Sequence, residues 1–130
     1  MPFTRISLRQ HHMENHLCQL SAILQQTLFE EFAVPEHDCF QIFEILSDSQ
    51  FIFNRHYLSR MRSEKFILFH MVAGKPRSRE QKKNFYRVLS ERLFTQCGIP
   101  SDDLMVIMQF NSADEWSFSG GKMYCPEELC

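Results

Sequence analysis

A proline directly follows the initiator methionine, and this pairing is the first feature of the chain with chemical potential. Once Met1 is removed, Pro2 is a secondary amine that can act as a base, an acid or a nucleophile. An ordinary α-amino group titrates near roughly 7.7 to 8.0, and burial or nearby cations disfavour its protonated form. Lys75 and Arg77 flank Pro76 and offer two cations in one short segment. Arg presents a planar fork suited to two-point carboxylate binding, whereas Lys is a point charge. Trp116 and Phe118 lie two apart, so in an extended segment they share a face and can exclude water. Asp38 is a carboxylate able to position a water molecule or hold an amine.

Each of these residues also has an ordinary structural explanation. Proline is common at position 2, and Lys75-Pro76-Arg77 reads equally as a solvated turn before a helix. Asp38 can cap or terminate its loop. Trp116 and Phe118 fit a core or an interface as well as a site. His12 and His16 stand at i and i+4, yet no third ligand lies near them in sequence, so no metal site is expected. The cysteines have no partnered His in an arrangement that would make a thiol nucleophile. Arg55, Arg60, Arg62 and Lys65 form a basic stretch, but without a basic helix it reads as a solvated loop.

The elements that must position these groups come in two similar sets. Phe3 to Leu8 alternates apolar and polar residues, the period of a half-buried strand, and begins almost at the terminus. From Glu14 to Phe32 the apolar residues Leu17, Leu20, Ala22, Ile23, Leu24, Leu28 and Phe29 recur at helical spacing. Val34-Pro35 stops that helix, and Phe40 to Leu46 reads as a second strand. Phe66 to Val72 is then a strand, Arg79 to Phe94 a helix, Gly98-Ile99-Pro100 a stop, and Leu104 to Phe110 a strand. The pairs Leu24/Leu89, Phe29/Phe94, Val34/Ile99, Pro35/Pro100 and Asp38/Asp103 are all 65 positions apart. The chain is therefore read as one domain, 1–130, built from pseudo-repeats 2–46 and 66–110. Neither half can bury its helix alone, so the strands are expected to join in one sheet with both helices on one face, an α+β two-layer sandwich. Ser47 to Lys65 is read as a hairpin or loop excursion. Asn111 to Cys130 is read as a turn and a short strand that reaches a neighbouring subunit.

Bulk properties bound the rest. The 130 residues suffice for one modest core, and 44% hydrophobic with 23% charged residues is the balance of a globular chain. Thirteen Phe residues exceed what so small an interior hides easily, which points to a subunit interface as well as a core. The net charge of -2 provides no field that favours nucleic acid. The longest apolar runs fall far short of the roughly 18 residues of a membrane span, and polar residues at Arg9 to His12 replace the apolar stretch of a secretory signal, so a cytoplasmic protein is expected. Five cysteines without a CxxC argue for reduced thiols.

Four stretches carry a family resemblance. They are Phe32-Ala33-Val34-Pro35-x-x-Asp38-x-Phe40-Gln41-Ile42; Arg79-Glu80-Gln81-Lys82 with Phe85-Tyr86; Cys97-Gly98-Ile99 followed by Ser101-Asp102-Asp103; and Asn111 to Phe118. With Pro2 and the duplicated strand-helix-strand unit, they resemble the tautomerase superfamily in its malonate semialdehyde decarboxylase branch, nearly end to end. The resemblance implies a homotrimer with active sites near subunit boundaries, no cofactor, and a small oxo acid as substrate. It implies Pro2, Asp38 and Arg77 as catalytic residues. Lys75, Arg77, Trp116 and Phe118 would bind substrate, the last two as an aromatic wall. Lys75 stands where the family has the first of two arginines, which separates decarboxylation from membership of the superfamily. A neutral Pro2 suits keto–enol interconversion of a 2-oxo acid. A cationic or nucleophilic one suits loss of CO2 from a 3-oxo acid. Retention of Met1 would make that nitrogen an amide and leave a non-catalytic trimeric binding module.

Overall fold

Parallel pairing of the first two strands requires a crossover, and the helix between them supplies it. The computed structural model describes residues 1–10 and 16–126. Its elements are β1 (Pro2–Arg9), α1 (Leu17–Phe32), β2 (Phe40–Leu46), β3 (Ile67–Ala73), α2 (Arg79–Cys97) and β4 (Leu104–Phe110). The four strands among the described residues form one sheet in the order β2-β1-β3-β4. β1/β2 and β3/β4 are parallel pairs, and the central β1/β3 pair is antiparallel. The two halves thus meet head to tail, and Pro2 pairs with Ala73 at one end of the sheet.

Both helices cover one face. Ile6, Leu8, Ile67, Phe69 and Met71 of the sheet are buried against Leu20, Leu24 and Leu28 of α1 and Phe85, Leu89 and Leu93 of α2. Phe32 and Phe85 stack at 4.8 Å between ring centroids, locking the helices together near the Pro2 end. Each such side chain contributes about 1.5–3 kcal/mol by leaving water. The opposite face stays open in the single chain: Phe40, Ile42, Met105 and Ile107 are apolar and exposed.

The 65-residue repeat extends to individual hydrogen bonds. Val34 N donates to Leu28 O and Ile99 N to Leu93 O, both at 3.2 Å; Asp38 N donates to Pro35 O and Asp103 N to Pro100 O, both at 3.0 Å. Both helices end on a left-handed residue, Ala33 at φ 54° and Gly98 at φ 67°. Glycine adopts this conformation freely, so Gly98 marks the second stop, while Ala33 carries no such signature.

The boundaries differ from the sequence reading in ways that have physical reasons. α2 runs to Cys97 instead of Phe94, because no breaker intervenes before Gly98. β3 is shifted by one, to Ile67–Ala73. The expected start of α1 at Glu14, and His12, lie outside the described residues. Phe29, placed on the apolar helix face by its spacing, and its repeat partner Phe94 are 45% and 60% exposed. The 47–65 segment is the loop excursion and forms no hairpin: Arg9 anchors it by donating to the Phe51 carbonyl and to Glu64. The segment after β4 holds a single 3-10 turn, Ala113–Glu115, and no strand among the described residues, since Asn111, Ser112 and Gly120-Gly121 favour turns. Cys18, Cys39 and Cys97 are free thiols, but Cys125 is disulfide-bonded, which corrects the expectation of reduced thiols throughout. Among the described residues no helix is long and apolar enough to cross a membrane.

Candidate active site

Strand register gathers the candidate residues at one end of the sheet. Phe3 pairs with Phe40, so the loop that carries Asp38 reaches the start of β1. Pro2 is buried as the first residue of that strand. The Met1 amino group donates to Asp38 Oδ2 and forms an ion pair with it. Gln25 of α1 steadies the Asp38 loop, its Nε2 donating to the Asp38 carbonyl at 3.1 Å.

The aromatic pair is set by β4. Asn111, the first residue past that strand, donates its backbone N–H to Ala73 O at 3.0 Å. Its side-chain Oδ1 accepts from Trp116 Nε1 at 2.7 Å. Trp116 then stacks on Phe118 at 5.4 Å and 18°, and Phe118 reaches Phe40 at 6.0 Å and the edge of Tyr124 at 5.2 Å. Met1 and Trp116 meet at Gly74, just past β3: a Cβ added to Gly74 would meet Met1 Cε at 2.6 Å and Trp116 Nε1 at 2.7 Å. Pro2, Asp38, Trp116 and Phe118 therefore share one locality.

The cations sit differently. Ser78 caps α2 by accepting from Gln81 N, with Gln81 returning the bond to Ser78 N, and this fixes the residue before it. That residue, Arg77, donates Nε and Nη2 to the Phe32 carbonyl at 3.3 and 3.0 Å, and its guanidinium lies 5.1 Å from the Phe32 ring. It also donates Nη1 to the Lys75 carbonyl. Arg77 thus caps the negative end of α1. Burial lowers its pKa from the usual arginine value, yet an arginine stays cationic. Among the described residues its hydrogen bonds run to carbonyls and none to Asp38 or the amino terminus. Lys75 is exposed. The chain thus brings Asp38 to Met1, the residue before Pro2, and keeps Arg77 on the α1 side of the Lys75–Ser78 turn.

Sequence reasoning missed Gly74 and the role of Asn111. A lone glycine after a strand and an asparagine after another carry no signal until the strands are registered. Gly74 allows the Trp116 ring to lie against β3. Gly74→Ala is expected to push the indole off Asn111, shift the emission of the chain's one tryptophan, and raise KM several-fold; unchanged emission would remove Gly74 from the site. No group of three or more His, Cys, Asp or Glu suited to a metal occurs among the described residues.

Comparisons with known proteins converge on one family. Residues 38–119 match the family model described as tautomerase enzyme. The chain is 34% identical to the probable tautomerase YusQ of Bacillus subtilis (strain 168), over 94% of this chain and 96% of that protein. It is 33% identical to the probable tautomerase YrdN of the same organism, over 94% of both. Among solved structures, a malonate semialdehyde decarboxylase superposes with a TM-score of 0.85 at 27% identity, covering 93% of each chain. With its tandem strand-helix-strand sheet and these relatives, the chain belongs to the tautomerase family.

Proposed function

We propose that this protein is an N-terminal-proline enzyme acting on small oxo acids, with decarboxylation of a 3-oxo acid of the malonate semialdehyde type as its leading activity. The burial of Pro2 at the head of a central strand, next to a Met1 whose amino group meets Asp38 and whose side chain lies with Trp116 against Gly74, carries the reading. Met1 packs beside Trp116 against Gly74, and its ammonium occupies Asp38. Its removal would leave the Pro2 amine facing the space Met1 vacates, with Asp38 as the new partner of the ring nitrogen. The likeness to a malonate semialdehyde decarboxylase supports the substrate class.

In this reading Pro2 attacks the aldehyde carbon or polarises its oxygen. Attack followed by loss of water gives an iminium that accepts the electron pair of the breaking C–C bond as CO2 leaves; protonation and hydrolysis then release acetaldehyde and the amine. Arg77 and Lys75 would hold the substrate carboxylate. To do so, Arg77 would exchange the Lys75 carbonyl for the anion while keeping the Phe32 carbonyl. Trp116 and Phe118 would keep water from the reacting carbon.

A second reading, keto–enol interconversion of a 2-oxo acid such as an arylenol pyruvate, rests on Lys75. An exposed ammonium in place of a guanidinium lacks the two-point grip that would turn a carboxylate out of conjugation. The curated relatives, both probable tautomerases, support it too. In both readings the exposed Phe40, Ile42, Met105 and Ile107 face serves trimer assembly, and the protein works in the cytoplasm. The test is kcat/KM for malonate semialdehyde and for phenylenolpyruvate on one sample of verified intact mass. Turnover of neither by a chain lacking Met1 would leave the binding-module reading standing. Lys75→Arg is expected to raise decarboxylation several-fold and leave tautomerisation within about twofold; an unchanged or lower decarboxylation rate would show that Lys75 does not stand in for an arginine.

A further inference from the structure

The excursion between β2 and β3 carries apolar side chains that its own chain leaves bare. Ile52, Tyr57, Leu58 and Met61 are all exposed, and Leu58, at 86%, holds its backbone in the left-handed region at φ 51°. A leucine seldom adopts that conformation unless its surroundings impose it. Here the Asn54 side chain accepts from the His56 and Tyr57 amides, each at 2.8 Å, and Arg62 donates Nη1 to the Asn54 and Tyr57 carbonyls at 2.9 and 2.6 Å. Arg62 is itself buried, its guanidinium 5.4 Å from the Phe66 ring, and Ser59 Oγ ties the far side to the Asp102 carbonyl at 3.2 Å. The excursion is therefore a braced apolar knob, and an exposed apolar patch of this kind marks a contact with another surface.

The Pro2 site has the converse defect. Phe40 and Phe118 are 50% and 42% exposed, so the aromatic wall of a single chain does not keep water from the reacting carbon. The knob cannot complete the site of its own chain. It stands at the β3 and β4 starts, where Ser59 meets Asp102, whereas Pro2 faces the β3 end. Six residue steps of about 3.3 Å separate the two ends, roughly 20 Å. In a closed ring of copies, however, each contact sets one patch of a chain against a different patch of the next. The two patches are present at opposite edges of the sheet: the knob adjoins Met105 on β4, while bare Phe40 and Ile42 lie on β2 with Phe118 beside them. Met105, on the helix-free face already assigned to assembly, lines the same hollow as Ile52, Tyr57 and Leu58, so the knob continues that interface.

We propose that the excursion of each protomer seats on the Pro2 site of the next, with Tyr57 and Leu58 of the partner subunit covering Phe40 and Phe118 and closing the aromatic wall. The inference rests on the trimeric, Pro2-dependent reading above and adds that no protomer holds a whole site. Leu58 keeps its left-handed backbone because the side chain must point at the neighbour, and Arg62 is the post that holds it there.

Two measurements on the assembled, full-length protein test it. In the first, p-benzoylphenylalanine is incorporated at Tyr57, and irradiation is followed by peptide mapping. Cross-links between chains are expected, from position 57 to the peptides that contain Phe40 or Phe118; links to other peptides only, or none between chains, would overturn the proposal. The second is complementation. Tyr57→Ser with Leu58→Asn removes the apolar side chains but leaves the carbonyls that Arg62 holds, and Asn accepts the left-handed backbone. Alone, this double variant is expected to lose about tenfold in kcat/KM, and Pro2→Ala about a hundredfold. When the two chains are co-expressed, half of the subunits supply Pro2 and half of their neighbours an intact excursion, so about one quarter of the parental rate is expected to return. A mixture no faster than the mean of the two variants, or a double variant as fast as the parent, would overturn the proposal. A Pro2→Ala protein as active as the parent would instead sink the Pro2 reading, and the cross-link map would then decide the contact by itself.

Discussion

Protein that retains Met1 is expected to lose the proline-dependent rate outright, a fall of about 10² to 10⁴-fold in kcat/KM against the processed chain. The chemistry is all-or-none at one atom. With Met1 attached, the Pro2 nitrogen is a tertiary amide that neither accepts a proton nor attacks a carbonyl. The obstruction is also steric and electrostatic, since the Met1 side chain lies against Gly74 and Trp116 and its ammonium holds Asp38. The check is to assay both forms, each identified by intact mass, on malonate semialdehyde and phenylenolpyruvate. Pro2→Ala in the processed chain supplies a graded comparison: a primary amine survives, so a loss of about 10²-fold is expected, toward the lower end of what general acid–base groups contribute. If decarboxylation falls and tautomerisation does not, the amine serves only the first reaction. Equal rates from retained and processed forms would end the proline mechanism for both.

Much of this was readable before any coordinates, because burial imposes periodicity. The alternation along β1 and the helical spacing of Leu20, Leu24 and Leu28 follow directly from facing one core: Thr4, Ile6 and Leu8 are buried with those leucines, while Phe3 shares the other face of the strand with Arg5 and Ser7. The repeat was legible because both halves solve the same problem, that of ending a helix on a left-handed residue and entering a parallel strand. What escaped detection depends on contacts distant in sequence. Ala33 takes the conformation that Gly98 takes without any glycine to announce it. Phe29 and Phe94 keep the spacing of buried residues yet lie exposed at the edge of the helical layer. Composition alone does not tell a core phenylalanine from one that waits for another surface. At the candidate site, Pro2, Asp38 and Trp116 stood out by residue type, whereas Gly74 and Asn111 enter only through the space and the acceptor they give Trp116. Arg77 shows the opposite case: its type suggested an anion site, and its hydrogen bonds also make it the cap of α1.

The repeat also sets two equivalent aspartates to different work, and this predicts opposite mutational outcomes. Asp38 and Asp103 each follow a proline by three and donate the same turn hydrogen bond. Asp103 is 1% exposed, and its two oxygens accept from the Ser63 amide and hydroxyl, each at 2.6 Å, pinning the end of the excursion to the start of β4. Asp38 is half-buried, and the ion pair of its carboxylate is with the amino terminus. Asp103→Ala strands two donors, so a loss of about 3 kcal/mol is expected, which for a chain of this size lowers Tm by roughly 10 °C. Its kcat/KM, measured well below that Tm, should stay within about threefold, because Ser63 lies at the sheet end away from Pro2. Asp38→Ala breaks a partly exposed pair worth about 1 kcal/mol or less, so Tm should move by only a few degrees. Its kcat/KM should fall by tenfold or more, with a displaced pH–rate profile, since the carboxylate beside the Pro2 amine favours the cation. Thermal unfolding and kinetics on the two variants side by side decide the matter. If both lose stability and neither changes the pH profile, Asp38 is a loop cap like its partner, and the duplication has kept one role in both halves.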